Sequence, residues 1–184
     1  YSAEDRKDRD IKTRLLEINK IAATYYYHQL KSEAGKSGLD YLVKRGLSDK
    51  TINSFGLGYA PQSTGELYRM LKDKGYDDGI LKESGLFTYE KGVRDKFWNR
   101  VIFPIMDINN KVIGFGGRVM GDAKPKYLNS PETKLFDKSR NLYGLNAART
   151  ARKNNLIICE GYMDVISLHQ AGFTQAVASL GTAL

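Results

Sequence analysis

The chain has 184 residues, one cysteine, two histidines and a formal net charge of +8. That inventory excludes an internal disulfide and the usual four-ligand zinc site, and no apolar run approaches the ~20 residues that cross a bilayer. The opening ten residues carry mixed charge and no hydrophobic segment, which excludes a secretory leader and predicts the cytoplasm.

Beginning at Tyr1 rather than Met, the chain is expected to be a piece of a longer one. Its length suffices to bury roughly 70% of the unfolded surface, so no staple is needed. The charge is unevenly placed. Residues 1–90 hold 15 Lys and Arg against 14 Asp and Glu, residues 91–153 hold 14 against 5, and residues 154–184 hold none against 2. A basic block of this kind is either a nucleic-acid or nucleotide surface or a solvated lysine-rich face.

Ile11, Leu15, Ile18, Ala22, Tyr25 and Tyr26 recur at three- and four-residue steps, which predicts a helix running to about Leu30. Two of the consecutive tyrosines 25–27 lie on that stripe, so core packing is expected there rather than a base-stacking platform. Leu39, Leu42 and Val43 mark a short helix ending at Gly46. Ser48 is a good N-cap for a helix over 49–55, with Gly56 just beyond it. Two further short helices are expected over 66–74 and 77–82.

The pattern then changes. Residues 101–106 and 112–120 read as two strands joined by turn chemistry at 107–111, a hairpin. Pro104 predicts that the first strand lies near an edge or beside a bulge. Residues 121–141 read as a polar loop and 145–153 as a short helix. The apolar run 156–159 predicts a buried strand in which Cys159 is a buried thiol. A helix over 162–171, closed by Gly172, and an apolar strand over 176–180 follow. This order predicts two parallel strands with a right-handed crossover.

Two clusters could carry chemistry. Glu160 directly follows a predicted strand, where ligands bind in open α/β sheets. Gly161 would supply backbone freedom, and Asp164 lies one turn into the next helix. Two close carboxylates beside a basic surface suit Mg²⁺ and phosphates; they equally suit a helix start. The second cluster is Gly114-Phe115-Gly116-Gly117-Arg118. It is not a dinucleotide fingerprint, because Val119 takes the place of the third glycine and a strand stands where a helix is required. Glycines inside a strand allow a bulge or a close backbone approach. Arg118, Lys126, Lys138 and Arg140 place phosphate-directed charge around the polar loop.

Five segments then agree in order and spacing: Arg100 to Ile105, Val112 to Arg118, Pro125 to Thr133, Glu160-Gly161-Tyr162-Met163-Asp164, and Ser179-Leu180-Gly181-Thr182. From about residue 10 to its end the chain resembles the bacterial replicative DNA primases. Gly38 to Leu42 and Gly58 to Pro61 fit the same family. One departure is Phe97-Trp98-Asn99, where many relatives carry a more basic stretch.

The resemblance implies an α+β fold. A mixed helical and antiparallel N-terminal subdomain would span 1–137, and the beginning of an α/β Toprim unit, cut after its second strand, would span 138–184. It implies that Glu160 is the catalytic metal-site acid, for Mg²⁺ or Mn²⁺, with Asp164 in the same motif. It also implies that Arg100, Arg118, Lys126, Tyr127, Asn129, Lys138 and Arg140 contact template or nucleotide. The whole protein would make short RNA primers on single-stranded DNA from ribonucleoside triphosphates. The family's zinc-binding module, its Asp-x-Asp pairs and its helicase-binding module have no counterpart here, so this chain alone is expected to be inactive. Two rival readings are another Toprim enzyme, such as a topoisomerase or nuclease, and a non-catalytic single-strand-binding module. The former would lack the hairpin and the Pro-Lys-Tyr-Leu-Asn loop; the latter would need no metal acids.

Overall fold

The computed structural model describes residues 2–62 and 65–181. Thr182, the end of the last matched segment, lies outside them. Helix α1 spans Ala3–Leu30 and starts about two turns before its apolar stripe. The Ser2 hydroxyl accepts from the Asp5 amide and the Asp5 carboxylate accepts from the Ser2 amide, a reciprocal cap. Those first turns are exposed and charged, so hydrophobic periodicity could not mark them. Leu15, Ile18, Ala22, Tyr26 and Leu30 are buried. Tyr26 meets Phe115 edge-on at 5.5 Å, as a core residue does.

Helices α2 (Lys36–Lys44) and α3 (Asp49–Ser54) follow, the latter capped by the Ser48 hydroxyl on the Thr51 amide. Strand β1 (Gly58–Ala60) precedes α4 (Glu66–Asp73) and α5 (Asp78–Ser84). Two short strands, β2 (Phe87–Thr88) and β3 (Arg94–Asp95), pair as an unpredicted small hairpin. The predicted hairpin is present as β4 (Arg100–Met106) against β5 (Val112–Val119). Strand β6 (Tyr127–Asn129) pairs with β5 inside the segment expected to be loop. The four-stranded order is β1-β4-β5-β6, so β4 is internal rather than an edge. Pro104 is tolerated because β1 reaches only as far as Ile102, and because a register shift follows at Ile105 and Met106.

Helix α6 (Leu145–Ala148) continues as a 3-10 turn (Arg149–Ala151), two residues short of the expected end. Strand β7 (Ile157–Cys159), helix α7 (Tyr162–Gln170) and strand β8 (Ala176–Ala178) complete the described chain, and β7 pairs parallel with β8 as expected. Tyr143 joins the other side of β8 through two backbone bonds to Ala178, of 2.8 and 3.1 Å.

Strand β8 is buried throughout, but β7 is not. Ile157 and Cys159 pack on the core while Leu156 and Ile158 remain about half exposed. Alternation along a strand sends neighbours to opposite faces, and only one face here is covered. Cys159 is therefore half-buried, which corrects the expectation of a buried thiol. Burial, then the charge of Asp164, pushes its pKa up. Among the described residues no helix is long and apolar enough to cross a membrane.

Candidate functional site

The geometry of the site begins with missing side chains in β5. A Cβ on Gly116 would lie 2.5 Å from the Cζ and hydroxyl of Tyr162, and one on Gly114 would meet Phe136 at 3.1 Å. The glycines thus admit a close approach, as expected. Tyr162 fills the Gly116 slot. Its ring stacks on Phe103 at 5.0 Å and meets Tyr143 edge-on at 4.7 Å. Its hydroxyl donates to Asn129 Oδ1 at 2.5 Å, and Asn129 is the partner of Gly116 across the β5–β6 ladder. Burial holds that hydroxyl far above the ordinary tyrosine range, so it stays a neutral donor.

Tyr162 is the first residue of α7, two residues after Glu160 and two before Asp164. Seating it on the antiparallel sheet brings both carboxylates against β6. The other end of α7 is also tied down. Gln170 donates its amide to the Gly46 carbonyl at 2.8 Å and accepts from the Ser48 amide at 2.8 Å.

The result is a cleft of about 470 Å³ in which Glu160 and Asp164 face Arg45, Lys126, Tyr127 and Asn129. Among the described residues neither carboxylate is in an ion pair. Asp164 sits in the first turn of α7, where the helix dipole favours a negative charge. Gly161 has ordinary extended backbone (φ −149°), and a Cβ there would meet nothing within 4 Å. Its expected role in backbone freedom is therefore not needed; it leaves the floor of the cleft open. A second cleft of about 550 Å³ lies between α3 and α6, and among the described residues no carboxylate lines it.

The basic residues named from the sequence do not share one place. Lys126, Tyr127 and Asn129 line the acid cleft. Arg118 stands behind Tyr127 as its cross-strand partner, with its guanidinium 4.6 Å over the Tyr41 ring and Nη1 on the Val119 carbonyl. Burial first, then Tyr41, raises the pKa of Tyr127, and the Arg118 charge opposes them.

Arg100, expected to contact template or nucleotide, does not stand open to solvent. It is 5% exposed, and its guanidinium donates to the carbonyls of Gly117, Pro125 and Lys126. It holds the loop that presents Lys126. Neither Lys138 nor Arg140 is among the described residues that line the acid cleft, and Arg140 is exposed and paired with Asp137 at 3.4 Å. Sequence reasoning missed Arg45, at the C-terminal end of α2, because nothing local ties it to Glu160 some 115 residues later.

Carboxylates without an ion pair among the described residues face cations at the carboxyl end of a parallel strand, the place where open α/β sheets bind ligands. The family model for the DNA primase catalytic core, N-terminal domain, matches residues 25–149, and that for the Toprim domain matches 154–184. The chain belongs to the DNA primase catalytic-core family. It is 50% identical over 186 residues to the DNA primase of Clostridium acetobutylicum, covering 100% of this chain and 30% of that protein. It is 51% identical over 175 residues to the DNA primase of Deinococcus radiodurans, covering 92% of this chain and 30% of that protein. The chain thus spans about a third of the curated relatives' length. Among solved structures, a DnaG primase catalytic domain bound to ssDNA superposes with a TM-score of 0.90 at 40% identity, over 95% of this chain and 56% of that one. The RNA polymerase domain of Mycobacterium tuberculosis primase, in complex with a double-stranded DNA oligomer with an overhang, gives 0.88 at 36% identity over 94% and 56%.

Proposed function

We propose that this chain is the template- and nucleotide-facing part of an enzyme that makes short RNA primers on single-stranded DNA. The observation that carries the reading is the cleft that puts Lys126 and Asn129 opposite Glu160 and Asp164. Likeness to a primase catalytic domain bound to ssDNA supports the nature of the template. The reaction is attack of a primer 3′-hydroxyl on the α-phosphate of a ribonucleoside triphosphate, releasing pyrophosphate. The compartment is the cytoplasm, and the replicative helicase is the partner of the whole protein.

The donor set fits a hard divalent cation, Mg²⁺ or Mn²⁺, held by Glu160 and Asp164 with substrate phosphates completing its shell. Among the described residues no three His, Cys, Asp or Glu side chains converge, so the two carboxylates need that help. The cation, when bound, neutralises phosphate charge and polarises the reacting oxygen. Within the chain, Lys126 and Arg45 neutralise phosphate oxygens, and the Asn129–Tyr162 bond fixes the strand that directly follows Lys126. The Toprim unit begins at about residue 138 on this reading, because Tyr143 already pairs with β8.

The test is Glu160→Gln in the full-length protein. Removing one exposed charge should leave circular dichroism and melting unchanged and should abolish primer synthesis across Mg²⁺ and Mn²⁺ titrations. Normal synthesis would remove Glu160 from the mechanism.

A further inference from the structure

A second feature of the basic block lies away from the acid cleft. Trp98 is 45% exposed, an unusual state for a side chain of that size. It lines a cleft of about 620 Å³ together with Arg94, Lys96, Gln62, Thr88 and Asp95.

The backbone on both sides of the indole is fixed. Phe97 is buried against Phe115 at 6.4 Å. Asn99 adopts a left-handed conformation (φ 49°), which costs energy outside glycine. It is held there by its own bonds. Its Oδ1 accepts from the Tyr59 hydroxyl at 2.6 Å, its Nδ2 donates to the Met120 carbonyl, and its carbonyl accepts from the Met120 amide at 2.8 Å. A rigid segment therefore holds a large apolar ring outward.

Cations flank the ring, Arg94 and Lys96 lining the same cleft. Burial, then the charges of Lys138 and Arg100, holds the Lys96 ammonium below the ordinary lysine pKa. Arg100 in turn grips the carbonyls of Pro125 and Lys126, and the Lys126 side chain reaches the acid cleft. Among the described residues, Arg94, Lys96 and Lys138 are in no ion pair. Asp95 is the carboxylate that lines the Trp98 cleft among those residues.

We propose that Trp98 is a stacking platform for an unpaired base of single-stranded DNA, with Arg94 and Lys96 beside it to meet the flanking phosphates. An exposed ring flanked by phosphate-neutralising side chains is the arrangement that holds single strands without reading sequence. A duplex hides its base faces and offers the indole nothing to stack on. The proposal rests on the nucleic-acid reading above and adds a site to it.

Trp98 is the chain's one tryptophan, so its fluorescence reports this position alone. The 184-residue chain is titrated at low salt with a short, end-labelled single-stranded oligonucleotide, following anisotropy of the label and, with unlabelled strand, indole emission. Quenching should track binding. An abasic strand of the same length should still bind, through its phosphates, without quenching. Trp98→Ala should weaken binding of the normal strand about tenfold, leave abasic binding and far-UV dichroism unchanged, and be largely rescued by Trp98→Phe. Binding with unquenched emission and an unchanged Trp98→Ala affinity would overturn the platform and leave the nucleic-acid reading intact. Equal quenching by the abasic strand would overturn stacking in the same way. No anisotropy change in any arm would overturn both.

Discussion

Adding one methyl group to Gly116 should cost more than its size suggests. The three atoms nearest the new Cβ, at 2.5 to 2.7 Å, all belong to the Tyr162 side chain, two in the ring and the third its hydroxyl. That ring cannot step aside freely, being stacked on Phe103, crossed by Tyr143 and bonded to Asn129. Overpacking of this kind costs about 1–3 kcal/mol, and losing the hydroxyl's bond adds about 1 kcal/mol. The stiffer unfolded chain of an alanine offsets about 0.5–1 kcal/mol. The net for Gly116→Ala is a loss of about 1–3.5 kcal/mol. With a urea slope of about 2 kcal/mol per molar, the unfolding midpoint should fall by roughly 0.5–1.7 M. A double-mutant cycle isolates the cause. In a Tyr162→Ala background the new methyl has no ring to strike, so Gly116→Ala should cost close to nothing and the coupling should be about 2 kcal/mol. Additive costs, or a single-variant shift within error of zero, would refute the slot.

Arg100→Met keeps the buried stem and strands the carbonyls of Gly117, Pro125 and Lys126; a stability loss of about 2 kcal/mol in urea is expected, and an unchanged midpoint would place the guanidinium in solvent instead. The Lys134 ammonium, 2.6 Å from Asp8, holds that carboxyl below its ordinary value of 3.8. The stabilisation is therefore present above about pH 4 and lost as pH falls through the folded value. Asp8→Asn should accordingly melt slightly below the parent at neutral pH and level with it in strong acid, and a gap that persists in acid would contradict the pairing.

The sequence made the α7 region legible because several local signals agreed there. Glu160, Asp164 and the parallel strands around them follow from one apolar run, one helix and one more run. Core placement of Tyr26 was equally readable from the stripe of α1. The misses have a common physical origin, namely that burial is decided by what lies opposite. The run 156–159 is apolar on both faces, yet only the face of Ile157 and Cys159 is covered. Arg100 looks like every other cation in a basic block until three carbonyls converge on it. β6 is three residues long within a polar stretch and exists because β5 offers it a ladder. Arg45 joins the cleft through the tertiary fold alone.

Helix α7 is anchored at each end to distant parts of the chain, by Tyr162 in the Gly116 slot and by Gln170 on the 46–48 turn. The acid motif is therefore not a portable cassette. A chimera that transplants only the last fifty or so residues from a distant relative would inherit a ring and an amide cut for a different socket. Exchange should succeed when Gly116, Asn129 and the 46–48 turn travel with the helix, so the unit inherited together is a set of distant positions rather than a contiguous stretch of chain.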